Sequence, residues 1–124
     1  MNLSEVLDCC RVQPEATEGY PFRPGVLVFK VRGKIFAIVM ERDRLPRVSV
    51  KCEPEIAPLL RDEYAAVTGG FHLNKRHWNT ISLDGTVPAE RVREWIEGSW
   101  DLVVEKLPIR ERRHLGWQAD RGAA

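Results

Sequence analysis

The stretch VLVFKVRGKIFAIVM at residues 26–40, followed after a short break by RVSVKC at 47–52, constrains this chain more than any other part of it. The first stretch is rich in β-branched and aromatic residues on both sides of Arg32-Gly33. Such residues favour strands, and a glycine supplies the positive φ that a two-residue hairpin turn needs. Residues 26–31 and 34–40 are therefore expected to pair. RVSVKC alternates cleanly, with Val48, Val50 and Cys52 on one side and Arg47, Ser49 and Lys51 on the other. That spacing predicts a third strand with one apolar and one basic face. The gaps between the three runs are too short for a crossover helix, so an antiparallel meander is the arrangement left open.

The remainder reads as helices and loops, with one further strand. Asn2 and Glu5 stand at capping-box spacing before an apolar line of Leu3, Val6, Leu7 and Cys10, which predicts a first helix. QPEATEGYPFRPG, with three prolines and two glycines, reads as loop. EPEIAPLLRDEY is a short helix with Pro54 suited to its first turn, although Pro58 leaves the start open. VTGGFHLNKRHW reads as loop and NTISL as a strand closed by Asp84-Gly85. VPAERVREWIEGSWDLVVEKL is the longest helix, with an expected buried line of Val92, Trp95, Ile96, Ser99, Leu102, Val103 and Leu107. A last short helix starts at Pro108, and QADRGAA reads as a frayed tail after a single domain over residues 1–117. Grouped strands and separate helices mean α+β: an antiparallel sheet with helices over one face. The other face is left for water or a partner.

Charge narrows the partners. The net charge is +1, with ten Lys/Arg against nine Asp/Glu in residues 1–62 and nine against nine in residues 63–124. A dedicated nucleic-acid binder shows a basic excess or stripe, so any such surface here has to be local. No apolar run reaches membrane-spanning length, and MNLSEVLDCC lacks the basic start and apolar run of a signal peptide. A cytoplasmic protein with no membrane partner is expected. Cys9, Cys10 and Cys52 then stay reduced and structural by default.

Four stretches carry a resemblance: VFKVRGKIFAIV, SVKCEPEIAPLLR, HLNKRHWNTISLDGTVP and SWDLVVEKLP. Together, and in this order, they resemble the MmcQ/YjbR family of small bacterial proteins from about Leu3 to about Leu115. The most specific piece is His77-Trp78 with Leu83-Asp84-Gly85 close behind. The resemblance implies a frataxin-like (CyaY-like) fold, also called a double wing, and a DNA-binding label that the family carries by inference from its fold.

Weighed residue by residue, the chemistry is sparse. Lys75 and Arg76 are cations that can grip phosphates while Trp78 stacks on a base; they equally fit solvated loop charges beside an indole that anchors the loop. His77 has no assignable carboxylate or nucleophile, and His72 is not at helical ligand spacing from it, so a structural role is expected and no metal site is assigned. The carboxylates of the long helix fall on its solvated side. Ser99 lies on the buried line, where a small residue permits close approach, and lacks a G-x-S-x-G setting. Iron binding of the frataxin kind needs a dense acidic ridge, and the first helix offers only Glu5 and Asp8. No phosphate loop is present, and no cofactor is expected.

Two functions survive this reading, neither of them enzymatic. One is a weak, sequence-tolerant DNA-binding module using Arg47, Lys51, Lys75, Arg76, His77 and Trp78, joined by Arg110, Arg112 and Arg113. The other is an adaptor whose surface takes an acidic protein partner or a small ligand. Cations gathered on one face near Trp78 favour the first; scattered cations with an apolar cleft favour the second.

Overall fold

In the computed structural model, which describes residues 1–117, the chain runs α1 (Leu3–Arg11), β1 (Thr17–Gly19), β2 (Val26–Val31), β3 (Lys34–Met40) and β4 (Arg47–Lys51). It continues through α2 (Ala57–Glu63), β5 (Val67–Gly69), β6 (Trp78–Ser82), α3 (Ala89–Val104) and α4 (Ile109–His114). The expected tail at 118–124 lies outside the described residues. The fold is α+β: one six-stranded antiparallel sheet in the order β1-β2-β3-β4-β6-β5, with helices packed on it.

The meander forms as its residues dictate. Arg32 and Gly33 take φ of 51° and 78°, the double positive-φ turn that matches the twist of flanking strands. β2 then pairs with β3 from Val26↔Met40 to Val31↔Lys34, with one register shift between Phe29 and Lys30. β4 pairs with β3 on one side and with β6 on the other, so it is a central strand. The expected capping box is present: Glu5 N donates to Asn2 Oδ1 at 2.9 Å, and Asn2 N donates to Glu5 Oε1 at 3.1 Å.

Two strands fall inside segments expected to be loop. β1 is three residues long, pairing Thr17 with Lys30 and Gly19 with Val28. It is confined between Pro14 and Pro21, which have no N–H to donate. β5 is also three residues long and pairs with β6 from Val67↔Ile81 to Gly69↔Asn79. Each is an edge strand, and strands this short limit pairing with other chains. The second helix starts at Ala57 with Pro58 in its first turn, so Pro54 lies before it.

The core sits between the sheet and α3. Leu27, Phe29, Val39, Val48, Val50 and Ile81 meet Val92, Ile96, Val103 and Val104 there. α3 crosses β2, β3 and β4, α2 lies on β5 and β6, and α1 packs on α3. Val92, Ile96, Ser99, Val103 and Leu107 are buried as expected, but the buried arc of α3 is shifted away from Trp95 and Leu102. Trp100 and Val104 are fully buried, whereas Trp95 and Leu102 are only partly so. The side carrying Trp100 is covered by the α1 region, and Trp100 Nε1 donates to the Pro14 carbonyl at 3.1 Å. The side carrying Trp95 and Leu102 looks toward α2, which is too short to cover it. No helix among the described residues is long and apolar enough to cross a membrane.

The helix-free face of the sheet is also dry at its centre. The row Val28, Ile38, Ser49 and Thr80 runs across four strands, and Ser49 and Thr80 are each 1% exposed. Their hydroxyls share a 2.7 Å hydrogen bond. The expected basic face of the third strand is therefore interrupted: Ser49 has neighbours on both sides because β4 is central.

Candidate functional site

A concavity lies where α2 fails to cover α3. It is a cleft of about 350 Å³, within the range that small-molecule sites occupy. Its floor is the helix side of the sheet, with Val50, Val67 and Ile81, and Leu60 of α2 beside them. Trp95, Gly98 and Leu102 present one face of α3 to it, at helical spacing, and Trp117 closes the end beyond α4. Trp95 is held by an edge-on contact with Tyr64, ring centroids 5.5 Å apart. Trp117 N donates to the Arg112 carbonyl at 3.0 Å, and the Arg112 guanidinium lies 5.5 Å from the Trp117 ring centroid.

Asn79, 2% exposed, stitches the floor to α2. Its Nδ2 donates to the Ala57 carbonyl at 3.2 Å, and its Oδ1 accepts from Arg61 Nε at 2.9 Å. With both ends of its amide engaged, Asn79 is a structural member of the wall.

The rim is charged. Glu53, Glu94, Asp101 and Glu105 line the cleft, and Lys51 and Cys52 stand between them. Burial pushes the Lys51 ammonium below its ordinary value and nearby Lys106 adds to this, while Glu105 opposes them. Burial likewise raises the Cys52 thiol, with Glu53 adding to the effect. A thiol so placed stays protonated at neutral pH and is a poor nucleophile. Cys9 and Cys10 are buried in the core, and burial pushes Cys10 up to about 12.

The residues singled out for DNA contact separate into different places. Lys51 lines the cleft. Arg47 belongs to the helix-free side, where its Nη2 donates to Asp43 Oδ2 at 2.6 Å and its guanidinium stacks 4.2 Å above the Phe71 ring. Lys75 lies against Gly69, its ammonium donates to the Gly70 carbonyl at 3.3 Å, and its own carbonyl accepts from Arg61 of α2. Arg76 is exposed in the 70–77 loop, its backbone N–H bound to Asn74 Oδ1. The His77 carbonyl accepts from Cys52 N at 2.7 Å, and its own N–H reaches the Asn74 carbonyl. Trp78 is half-buried in β6, and its carbonyl accepts from Gly70 N at 2.8 Å. A Cβ on Gly70 would meet the Trp78 Cβ at 2.7 Å and the Leu73 Cβ at 3.0 Å, so the loop comes this close to the start of β6 because residue 70 is glycine. Arg110 and Arg113 are exposed on α4.

Gly98, Trp117, Asn79 and Phe71 were not singled out from the sequence. A glycine at the centre of a long helix is the one signal among them that sequence alone offers, since it weakens the helix without an evident turn.

Comparison with known proteins agrees with the architecture. The YjbR family model matches residues 12–102. The uncharacterised protein YjbR of Escherichia coli K12 is 36% identical over 115 residues, covering 93% of this chain and 98% of that protein. The uncharacterised YbdF of Escherichia coli O157:H7 is 32% identical over 96 residues, covering 77% of this chain and 79% of its own. Among solved structures, the Deinococcus radiodurans protein DR2400 superposes with a TM-score of 0.88 at 35% identity, over 99% of this chain and 94% of that one. A Pseudomonas syringae protein superposes with a TM-score of 0.74 at 25% identity, over 82% of this chain and 98% of its own.

Proposed function

The chain belongs to the YjbR family, and from its site we propose that it is a binding module rather than an enzyme, one that takes a small, largely apolar molecule into the cleft between α2, α3 and the sheet. Gly98 carries the reading. It lies in the middle of α3 and faces the cleft, and a Cβ built on it meets nothing within 4 Å. Glycine there forgoes about 1 kcal/mol of helix stability relative to alanine. No packing contact requires its smallness, so room in the cleft is the benefit that remains. The scatter of the cations and the presence of an apolar cleft support the same reading. So does the chemistry of the walls, where the Cys52 thiol is held protonated and the buried polar Asn79 is fully engaged.

The test is a titration of the whole chain with small aromatic probes, read by tryptophan fluorescence and by the rate at which a maleimide labels Cys52. Binding should quench or shift the emission of Trp95 and Trp117 and slow the labelling. Gly98→Leu, which fills the cleft from an open position, should abolish both effects without loss of fold. Probes that leave both readouts unchanged in the native chain would remove the proposal.

DNA binding is the second reading. In its favour stand the exposed Arg76 and the Arg47–Phe71 stack on the helix-free side, where Phe71 is 39% exposed. Aromatic platforms beside cations are how single strands are held. Against it, Arg47 is already paired with Asp43, and Lys51 lines the cleft. With Arg76 and Lys75 left as the main phosphate contacts, binding to duplex should be weak, with a log-log salt slope near −2, roughly 0.9 per phosphate neutralised. Fluorescence anisotropy on short single and double strands decides it. Absence of binding at low salt removes this reading and leaves the cleft.

A further inference from the structure

We propose that the cleft takes a flat, uncharged aromatic body of two fused rings, seated on the bare backbone at Gly98. This rests on the reading of the cleft as a ligand site, and it assigns the ligand its shape. Trp95 and Leu102 stand one turn before and one turn after Gly98 on α3, and all three line the cleft. At roughly 1.5 Å rise per residue, the two side chains leave the helix about 10 Å apart along its axis. Between them lies backbone without a side chain, and a Cβ built at Gly98 meets nothing within 4 Å. The helix therefore carries a notch, with an indole at one end and a branched aliphatic chain at the other.

Size, contact and preorganisation each favour a flat ring there. An apolar cavity of about 150 Å³ holds one benzene. A volume of about 350 Å³ therefore holds two fused rings with a short substituent and excludes a four-ring body. Dispersion attraction between carbons is best at about 3.5–4.0 Å, and a gap wider by about 0.5–1 Å forfeits a quarter to a half of it. A flat ring brings every carbon to the notch at that distance, whereas a saturated ring of the same skeleton is puckered and holds alternate carbons away. Tyr64 meets Trp95 edge-on, with 71° between the ring planes. The indole is thus oriented before a ligand arrives, which lowers the ordering cost of binding. Aromatic rings gain from offset or edge contacts beyond the area they bury, and Trp117 adds a second indole to the lining. The floor of Val50, Val67 and Ile81 is apolar, and the Asn79 amide is engaged at both ends. A charge on the ring body would be desolvated there without gain.

The experiment compares naphthalene-2-methanol with decahydronaphthalene-2-methanol, which share a carbon skeleton and a hydroxyl and differ in flatness. Octan-1-ol serves as the linear control. Affinity for the whole chain is read by calorimetry and by protection of Cys52 from maleimide. Transfer from water alone favours the saturated ring, which has the greater apolar surface. The notch should reverse that order, binding the flat alcohol about threefold to tenfold more tightly, the gain expected of one aromatic contact. Gly98→Ala should raise the melting temperature, because alanine is the better helix former and its Cβ meets no neighbour. The same methyl fills the notch, so the variant should lose the preference for the flat alcohol. If the saturated or the linear alcohol binds as tightly as the flat one, the ring assignment is overturned and the cleft reading stands. A preference for the flat alcohol that survives Gly98→Ala overturns the seat at Gly98. If none of the three gives heat or protects Cys52, the cleft reading and the assignment fall together.

Discussion

Replacing Ser99 with alanine should be among the most damaging single-atom deletions in the chain. Ser99 is 0% exposed. Its hydroxyl donates to the Phe36 carbonyl at 2.6 Å and accepts from the Lys51 N–H at 2.8 Å. Ala37 is paired with Val50, so Phe36 and Lys51 are the next pair in register. The serine hydroxyl stands where β3 and β4 would otherwise bond directly, and it pins α3 to both strands. Alanine removes one oxygen and leaves two backbone groups without a partner, each worth about 1–3 kcal/mol when buried and unmet. Lys51 N is only partly buried, and the strand ends can relax toward each other, so the net loss should be about 2–4 kcal/mol. At roughly 3–5 °C per kcal/mol for a chain of this size, the melting temperature should fall by on the order of 10 °C. Denaturant unfolding followed by far-ultraviolet circular dichroism gives the difference directly, with an unchanged m-value as the check that the denatured state is the same. Ser99→Gly should lose about 1 kcal/mol more, from helix propensity. A loss below about 0.5 kcal/mol for Ser99→Ala would refute the bridge and return Ser99 to a mere small residue at a close approach.

Trp100→Ala should cost about 3–5 kcal/mol, as a fully buried aromatic does, and Trp95→Ala distinctly less because one side of that indole faces the cleft; equal losses in denaturant melts would contradict the phase of α3. A thiol reagent under native conditions should label Cys52 alone, with Cys9 and Cys10 reacting only on unfolding; rapid labelling of all three would contradict the burial of the α1 pair. The Arg11 hydrogen bond holds Glu18 below the usual carboxylate range. The folded state therefore binds its proton less readily than the unfolded state. The pair contributes stability above the unfolded carboxylate value and loses it as pH falls through the lower, folded one. Glu18→Gln should thus be slightly less stable than the native chain at neutral pH and converge with it in acid. Melting curves that stay parallel down to low pH would argue against the linkage.

The meander was legible because its signals are local and agree: β-branched runs, an Arg-Gly turn, clean alternation in RVSVKC. The capping box at Asn2 was legible for the same reason. The edge strands were not. Thr17–Gly19 and Val67–Gly69 have little strand character of their own, and each forms because a paired neighbour offers a row of free backbone groups. The long helix and most of its buried line, Val92, Ile96, Ser99 and Val103, were legible, but Trp95 and Leu102 stand at the half-open side and Trp100 and Val104 at the sealed one. Spacing alone marks a wide apolar arc, Trp95 through Val104. Which part of that arc is sealed depends on what lies beside it. The α1 region seals one side, through the Trp100–Pro14 bond, and the brevity of α2 leaves the other open.

That same brevity explains why the site escaped the sequence. A cleft is a place where packing stops, and no residue pattern announces where a neighbouring element ends. α2 has seven residues and buries Ala57 and Leu60; Ile56 and Leu59 beside them stay exposed. One more turn of helix at its C-terminus would run toward the side of α3 that carries Trp95. The chain instead turns at Tyr64 into β5, which must reach the sheet edge to pair with β6. Pairing at that edge and covering α3 compete for the same residues, and pairing wins, because an unpaired buried backbone loses more than a half-open apolar wall. The carboxylates of α3 looked like an ordinary solvated face from the sequence for a related reason. Glu94 and Asp101 are at solvent spacing on α3 and Glu105 stands just after it, and only the fold brings them to one cleft with Glu53 from the turn after β4.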